Sequence, residues 1–276
     1  MTKKNSQLTI YDIGGKLGTP PGHFGGEIGT ERLFELLQLK KGENIHVLEV
    51  GCGTGITSCR LAKEFGFKVT GIDLSQDMVE GARKRAKNLE VDNVDFIVAS
   101  VYDLPFDDST FDLIIGESAT AVIPDKQKAV KEYARVLKEG GMIGNLDLFL
   151  DDKAPPEVGK NLSELLMGAV GDTVVIPTIK EWKRLFEEAG LDYIQTEEYR
   201  DNVMEVVSRK AMRKEYGLLG MVTLSFKLCY YLTVNRSYRR LFRKILKARK
   251  VIFVKDKDKF AHVGYFVLSG KKPNLS

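Results

Sequence analysis

At 276 residues, with 43% hydrophobic and 29% charged side chains, the chain suits one large α/β domain or two small ones, and its composition excludes collagen, disorder and a disulfide mini-scaffold. Its three cysteines (Cys52, Cys59, Cys229) match no zinc spacing, and Met1 to Gln7 holds no apolar secretory stretch, so a reducing, cytoplasmic compartment is expected. The net charge of +4 conceals a division, because residues 201–250 carry 13 Lys/Arg against 3 Asp/Glu and the rest of the chain 29 against 35.

Taken in chain order, the loop Pro20-Pro21-Gly22-His23-Phe24-Gly25-Gly26-Glu27 is rich in backbone freedom and leads to a helix over Glu31–Leu39. From residue 45 short apolar runs alternate with helical patterns. These predict strand Ile45–Val50, helix Ile56–Phe65, strand Lys68–Ile72, helix Gln76–Asn88, strand Val94–Ala99 and strand Phe111–Gly116. Helix Lys126–Lys138, stopped by Gly140-Gly141, and strand Met142–Leu148 follow. The alternation is that of a parallel sheet with crossover helices, so the expected class is α/β, a doubly wound Rossmann-like sheet. Asp151-Asp152-Lys153-Ala154-Pro155-Pro156 is loop chemistry, and the stretch to Pro177 holds one short helix near Glu157–Met167, read as an insertion over the sheet. Thr178-Ile179-Lys180-Glu181 is a capping box opening a helix with Trp182, Leu185, Phe186 and Ala189 on one face and Gly190 as its stop. Leu191–Glu198 and Lys259–Leu268 read as two further strands; if they pair, the basic segment is an excursion from a hairpin.

Within that segment Gly217–Val234 has 12 apolar residues in 18 and one charge, Lys227. As a helix it would be about 27 Å long, near the ~30 Å of a hydrocarbon core. A single crossing is excluded if the last strand rejoins the sheet, which leaves a helix lying in the interface. In Arg236–Arg249, Tyr238, Leu241, Phe242 and Ile245 share a face, with Arg239, Arg240, Arg243, Lys244 and Lys247 around them. Peripheral membrane contact through 201–250 is one expectation. A lid or dimer face with solvated basic residues is the other, and homodimerisation stays open.

The chemistry-bearing motif is Glu49-Val50-Gly51-Cys52-Gly53-Thr54-Gly55, a turn between strand and helix where backbone N–H groups and a helix N-terminus converge. A dinucleotide fingerprint needs a glycine where Ile56 stands, and a phosphate-cradling loop needs Lys-Ser/Thr after Gly55; neither is present. Asp73 ends the second strand 22 residues after Gly51, where a carboxylate can accept ribose hydroxyls. Cys52 and Cys59 read as packing residues, and His46 and His262 as structural.

The E-x-G-x-G-x-G loop resembles that of the class I S-adenosylmethionine (AdoMet)-dependent methyltransferases, in particular the small-molecule group that includes ubiquinone/menaquinone C-methyltransferases. Val69-Thr70-Gly71-Ile72-Asp73-Leu74-Ser75, Leu104-Pro105-Phe106 with Ser109-Thr110-Phe111-Asp112, and Arg135-Val136-Leu137-Lys138-Glu139-Gly140-Gly141 carry the resemblance onward in register. It implies a mostly parallel sheet with an antiparallel C-terminal strand plus a helical insertion. The division implied is a cap over 1–44, a core over 45–200 and 256–276 with a lid insertion at 150–177, and a basic, partly apolar helical insertion over 201–255.

By the same resemblance the cofactor is AdoMet, and its site holds Tyr11, Glu49, Gly51, Cys52, Gly53, Gly55, Asp73, Leu74, Met78, Ser100, Val101 and Glu117. Asp73 would take the ribose, Glu49 the methionine ammonium, and Leu74 and Met78 would cover ribose and adenine. Ala99-Ser100-Val101 lacks the carboxylate that many members present to adenine, so Ser100 and the Val101 backbone stand in for it. Ser118-Ala119-Thr120 is not the Asn/Asp-Pro-Pro-Tyr/Phe of amino-methylating members, which favours a small or lipid-like acceptor, quinone- or isoprenoid-like. If the acceptor is a phenol or activated carbon, a base must take its proton, and His23, Glu117 and Glu27 are the candidates in that order. No set of Asp/Asn residues suggests a metal. A nucleic-acid-modifying methyltransferase using 201–250, disfavoured by the apolar stretch, and a non-catalytic AdoMet-binding partner subunit are the alternative functions.

Overall fold

The computed structural model describes residues 22–170, 174–201, 203 and 262–274, together with the helical positions 226, 230, 233, 236, 239, 240 and 243. Tyr11, most of 201–255 and the apolar run Gly217–Val234, apart from those positions, lie outside the described residues.

Helix α1 (Gly26–Leu36) precedes strand β1 (His46–Val50), helix α2 (Ile56–Arg60) and strand β2 (Lys68–Asp73). Helix α3 (Gln76–Leu89), strand β3 (Val94–Val98), strand β4 (Phe111–Glu117), helix α4 (Lys126–Val136) and strand β5 (Leu137–Leu150) follow. Helix α5 (Pro156–Val170), helix α6 (Ile179–Glu187) and strands β6 (Asp192–Tyr199) and β7 (Val263–Lys271) complete the order. The seven strands lie in the order β3-β2-β1-β4-β5-β7-β6, parallel from β3 through β5, with β7 antiparallel to both of its neighbours. Chain direction across the sheet reverses between β1 and β4, the switch point where such folds open a crevice beyond the carboxyl ends of the strands.

Both faces of the sheet are covered, so its central strands are near-continuous apolar runs. Val47, Leu48, Val50, Ile72, Ile114 and Ile115 are all at most 1% exposed. Local signals set the helix starts. The Ser75 side chain caps α3 by accepting from the Met78 N–H at 3.4 Å, Asp125 caps α4 through the Lys128 N–H at 3.0 Å, and Thr178 with Glu181 closes a capping box on α6. Trp182 and Phe186 of α6 are fully buried.

Several boundaries depart from the sequence expectation, among them the last strand, which continues to Lys271 past the expected Leu268, and the helix after β5, which spans Pro156–Val170 rather than Glu157–Met167. The first helix begins at Gly26 and ends at Leu36 rather than spanning Glu31–Leu39. The helix after the glycine loop is α-helical only to Arg60; Leu61–Phe65 is a π turn closed by left-handed Gly66, which sets Phe65 against Phe34 with ring centroids 5.5 Å apart. Helix α4 stops at Val136, before the glycine pair, because Leu137 is already extended and pairs with Phe111; Gly140-Gly141 lies inside β5, where register slips between Phe111 and Leu113.

Tyr199 pairs with Tyr265, and Leu150 with Val263, so the chain between β6 and β7 leaves and returns beside the carboxyl end of β5. The outgoing root is tied down twice. Arg200 Nη2 donates to Asp151 Oδ1 at 2.5 Å, and Arg32 of α1 donates to both Asp201 oxygens at 3.0 Å with its guanidinium 3.7 Å from the centre of the Tyr199 ring.

Candidate functional site

At the carboxyl end of β1 the chain turns through Gly51, Gly53 and Gly55, all with positive φ. The glycine requirement is internal packing at two of them. A Cβ on Gly51 would stand 2.7 Å from the Ala119 Cβ, and one on Gly55 2.7 Å from the Phe96 ring and 2.9 Å from the Ala82 Cβ. The loop amides are also largely committed. Cys52 N–H donates to the Ile72 carbonyl at 2.9 Å, Gly55 N–H to the Cys52 carbonyl at 2.9 Å, and Gly53 N–H to Asp73 Oδ2 at 3.0 Å. These three are therefore not the free donors that the sequence suggested. Asp73 Oδ1 accepts from the Ser75 N–H at 2.8 Å, so one carboxylate fixes both the glycine loop and the start of α3. A carboxylate accepts about four hydrogen bonds, and these two backbone donors fix the plane of this one.

Two further carboxyl groups flank the loop in different surroundings. Glu49 is 4% exposed and accepts from the Ser58 hydroxyl; burial, then the nearby charge of Glu117, pushes its pKa up to about 8. It braces the loop from beneath and does not present a carboxylate at the surface, contrary to its expected contact with an ammonium. Glu117, at the end of β4, is half-buried and accepts from Thr57 Oγ1 at 2.5 Å on one oxygen and from Thr30 Oγ1 at 2.7 Å on the other. Thr30 Oγ1 is in turn 3.2 Å from His23 Nε2, so the two base candidates His23 and Glu117 belong to one hydrogen-bonded chain. Glu27 is exposed in the first turn of α1.

The segment after β4 is held from both sides. Ser118 has φ +55°, a left-handed backbone that non-glycine residues rarely adopt; its N–H donates to the Leu146 carbonyl at 2.7 Å, and its Oγ accepts from the Phe24 N–H at 2.8 Å. Behind it Asp147, fully buried, accepts on Oδ2 from the Thr120 and Ala121 N–H groups at 3.1 and 3.0 Å and from Asn145 Nδ2 at 3.3 Å. Burial raises the Asp147 pKa to about 7.

The other expected residues divide. Leu74 is 77% exposed beside Asp73, whereas Met78 is fully buried under the first turn of α3 and presents no surface. The Cys52 thiol is buried and held well above its usual pKa by desolvation, a packing group rather than a nucleophile. Ser100 is half-buried in a turn, its Oγ accepting from the Tyr102 N–H at 3.3 Å, and Val101 packs against the core. His46 is structural, with Nε2 3.0 Å from Thr70 Oγ1. Sequence reading missed Thr30, Thr57, Ser58, Ser118 and Asp147. Thr57 and Ser58 adjoin the glycine motif and could have been suspected; the others carry no local signal.

A family model described as "Methyltransferase domain" matches residues 41–190. An O-methyltransferase, resE, of Aspergillus sclerotiorum is 30% identical over 199 residues, covering 68% of this chain and 72% of that protein. A demethylmenaquinone methyltransferase of Listeria welshimeri is 36% identical over 116 residues, 41% of this chain and 48% of that one. Among solved structures the cyclase SpnF superposes with a TM-score of 0.71 at 19% identity, covering 96% of this chain and 94% of that one. At that identity the likeness speaks for the fold alone, and a cyclase on the same scaffold illustrates that fold does not dictate reaction.

Proposed function

The chain belongs to the methyltransferase-domain family, and from that premise we propose that it methylates a small hydrophobic acceptor, quinone- or isoprenoid-like, in the crevice beyond the carboxyl ends of β1, β2 and β4. The methyl donor is AdoMet, whose sulfonium makes the methyl group electrophilic without further activation. The residues present fit it. Asp73, its plane fixed by two backbone amides, takes the ribose hydroxyls, the exposed Leu74 gives apolar cover, and Ser100 and the Val101 backbone meet adenine. Glu117 replaces Glu49 as the carboxylate facing the methionine end, because Glu49 is buried against Ser58. The chain's own tasks are to align the acceptor, exclude water and receive a proton, which we assign to His23.

The observation that carries this reading is the convergence of Asp73 and Glu117 on the glycine loop and the first turn of α2, through Gly53 and Thr57 respectively. Calorimetry with AdoMet, S-adenosylhomocysteine and NAD tests the donor; binding of the first two and not the third is expected, and NAD binding would overturn it. Radiolabelled methyl transfer into a lipid extract of the source cells tests the acceptor class. His23→Ala is expected to retain cofactor affinity while turnover falls about 10²–10⁴-fold. Equal losses in both would return His23 to a structural role.

The partner of the basic segment, in this reading, is an anionic membrane surface, with the protein cytoplasmic and peripheral. Among the described helical positions, Phe226 and Tyr230 are 71% and 62% exposed, and Arg236, Arg240 and Arg243 are exposed at matching helical spacing. Aromatic and basic side chains along one stripe suit the headgroup boundary. No helix among the described residues is long and apolar enough to cross a membrane.

A further inference from the structure

Resting on the AdoMet reading of the crevice, a further inference concerns Asp147, a buried carboxyl that takes no part in the transfer itself. The segment Ser118–Ala121 follows Glu117 and touches the glycine loop on one side and the N-terminal segment on the other. Ser118 Oγ accepts from the Phe24 N–H at 2.8 Å, and Ala119 lies so near Gly51 that a Cβ on the glycine would come within 2.7 Å of its own. From beneath, β5 holds the segment. Thr120 Oγ1 donates to Asn145 Oδ1 at 3.1 Å, and Asp147 Oδ2 accepts from the Thr120 and Ala121 N–H groups at 3.1 and 3.0 Å and from Asn145 Nδ2 at 3.3 Å.

The two oxygens of Asp147 are treated unequally. Oδ2 has three donors, whereas Oδ1 is buried with no hydrogen-bond partner among the described residues, as is the Tyr133 hydroxyl. The charged and titratable groups that face the carboxyl, Lys126 and Tyr133, both come from α4. On β7 its cross-strand neighbour is the apolar Phe266, against which α6 sets Trp182 with ring centroids 5.3 Å apart. Lys126 is 7% exposed and donates from Nζ to the Ile123 carbonyl at 2.8 Å. Ionised, Asp147 leaves a charged oxygen buried without a donor; protonated, it leaves a neutral O–H, at far smaller cost. Burial accordingly raises its pKa to about 7, and the charge of Lys126 offsets only part of this.

We propose that Asp147 is a positioning residue for the methyl-donor site: its carboxyl, protonated at Oδ1, clamps the Ser118–Ala121 segment against the glycine loop, and loss of that proton to water loosens the clamp. Hydrating the charged group disturbs least if the Thr120 and Ala121 amides let go, because the other neighbours belong to the sheet and to α4. Opening also draws Ala119 from Gly51 and Ser118 from Phe24, so the segment no longer closes on the donor. Between pH 3.8 and about 7 the open segment has released a proton that the closed one keeps. Opening therefore becomes easier as pH rises through that window and levels off above it.

Amide hydrogen exchange on the full chain, followed by NMR, reads this opening without an acceptor. At Thr120 and Ala121 the wild type should be protected about 10- to 100-fold less at pH 7 than at pH 5, and less than Ile115 within β4 at either pH. Asp147→Asn keeps a carbonyl for both amides and cannot ionise, so it should show no such fall. S-adenosylhomocysteine at about a hundred times its Kd should raise protection at both amides about 100-fold, because only the closed segment binds it. Protection independent of pH in the wild type, falling equally in Asp147→Asn, or matching that of Ile115 would overturn the clamp. Protection indifferent to bound S-adenosylhomocysteine would overturn the positioning role and leave the carboxyl structural. If Asp147→Asn fails to fold, the wild-type slope and the S-adenosylhomocysteine arm still decide. Absence of any S-adenosylhomocysteine binding would overturn the AdoMet reading instead, with the pH arm still judging the clamp.

Discussion

At the scale of single residues, the site distributes its carboxyl groups by environment. Asp73 is tied to backbone amides at the surface of the crevice, Glu117 to threonine hydroxyls, and Glu49 and Asp147 are buried with pKa values raised to about 8 and about 7. Asp73→Ala is expected to weaken AdoMet by roughly 1.5–3 kcal/mol, the range for a charged hydrogen bond, while Asp73→Asn loses less because its carbonyl oxygen still accepts. Calorimetry on both variants checks the order; equal affinity in wild type and Ala variant would remove Asp73 from the ribose. Asp147 predicts a pH effect. Between its ordinary value of 3.8 and about 7 the folded protein keeps a proton that the unfolded chain has released. Its contribution to stability is therefore full below pH 3.8 and is lost as pH rises through about 7. Asp147→Asn should flatten that part of the stability curve, gaining about 1–3 kcal/mol relative to the wild type at pH 8 and little at pH 4. Denaturant titrations at the two pH values decide it, and a parallel loss in both would make the carboxyl purely structural.

At the scale of elements, the glycine loop is a packing unit before it is a binding unit. Gly55 N-caps α2 with φ +74°, and a Cβ there meets the Phe96 ring of β3 and Ala82 of α3. Gly55→Ala thus combines left-handed strain with overpacking, and should destabilise the fold by about 2–5 kcal/mol. The paired change Phe96→Leu should recover part of this by giving the methyl room. Chemical denaturation of the single and double variants measures the recovery; none at all would place the cost entirely in the backbone. The capping box at Thr178–Glu181 formed as its spelling predicted, with both reciprocal bonds present and Trp182 and Phe186 buried. The end of α4 was less legible. Gly140-Gly141 looks like a helix stop, but the pairing of Leu137 with Phe111 competes for the backbone and ends the helix at Val136, two residues before the expected Lys138.

At the scale of the whole molecule, an acidic body carries a basic segment that leaves through a root held by two ion pairs and returns where the Asp151 N–H donates to the His262 carbonyl, beside the carboxyl end of β5, the edge on which the crevice opens. In the proposed reading this brings the anionic headgroup layer and the acceptor to the same side of the sheet. Flotation with phosphatidylserine-containing vesicles should show binding that falls with salt, and charge reversal at Arg239, Arg240 and Arg243 should abolish most of it. Binding that ignores both salt and the substitutions would return those arginines to a solvated face.

The sequence by itself determined the strand alternation, the glycine turn, the acid at the end of β2 and the family, because these are local: they follow from spacing along a few consecutive residues and from periodicity within one element. Tertiary structure alone decided which groups meet. Nothing near Thr30 in the chain announces that its hydroxyl lies between His23 and Glu117, and nothing near Asp147 that its carboxyl receives the amides of Thr120 and Ala121. Glu49 and Glu117 look alike as letters, yet one is sealed beneath a loop and the other is half-buried between two threonine hydroxyls. Burial and partner choice depend on contacts between residues tens of positions apart, and only the assembled sheet, with α1 packed on it, specifies them.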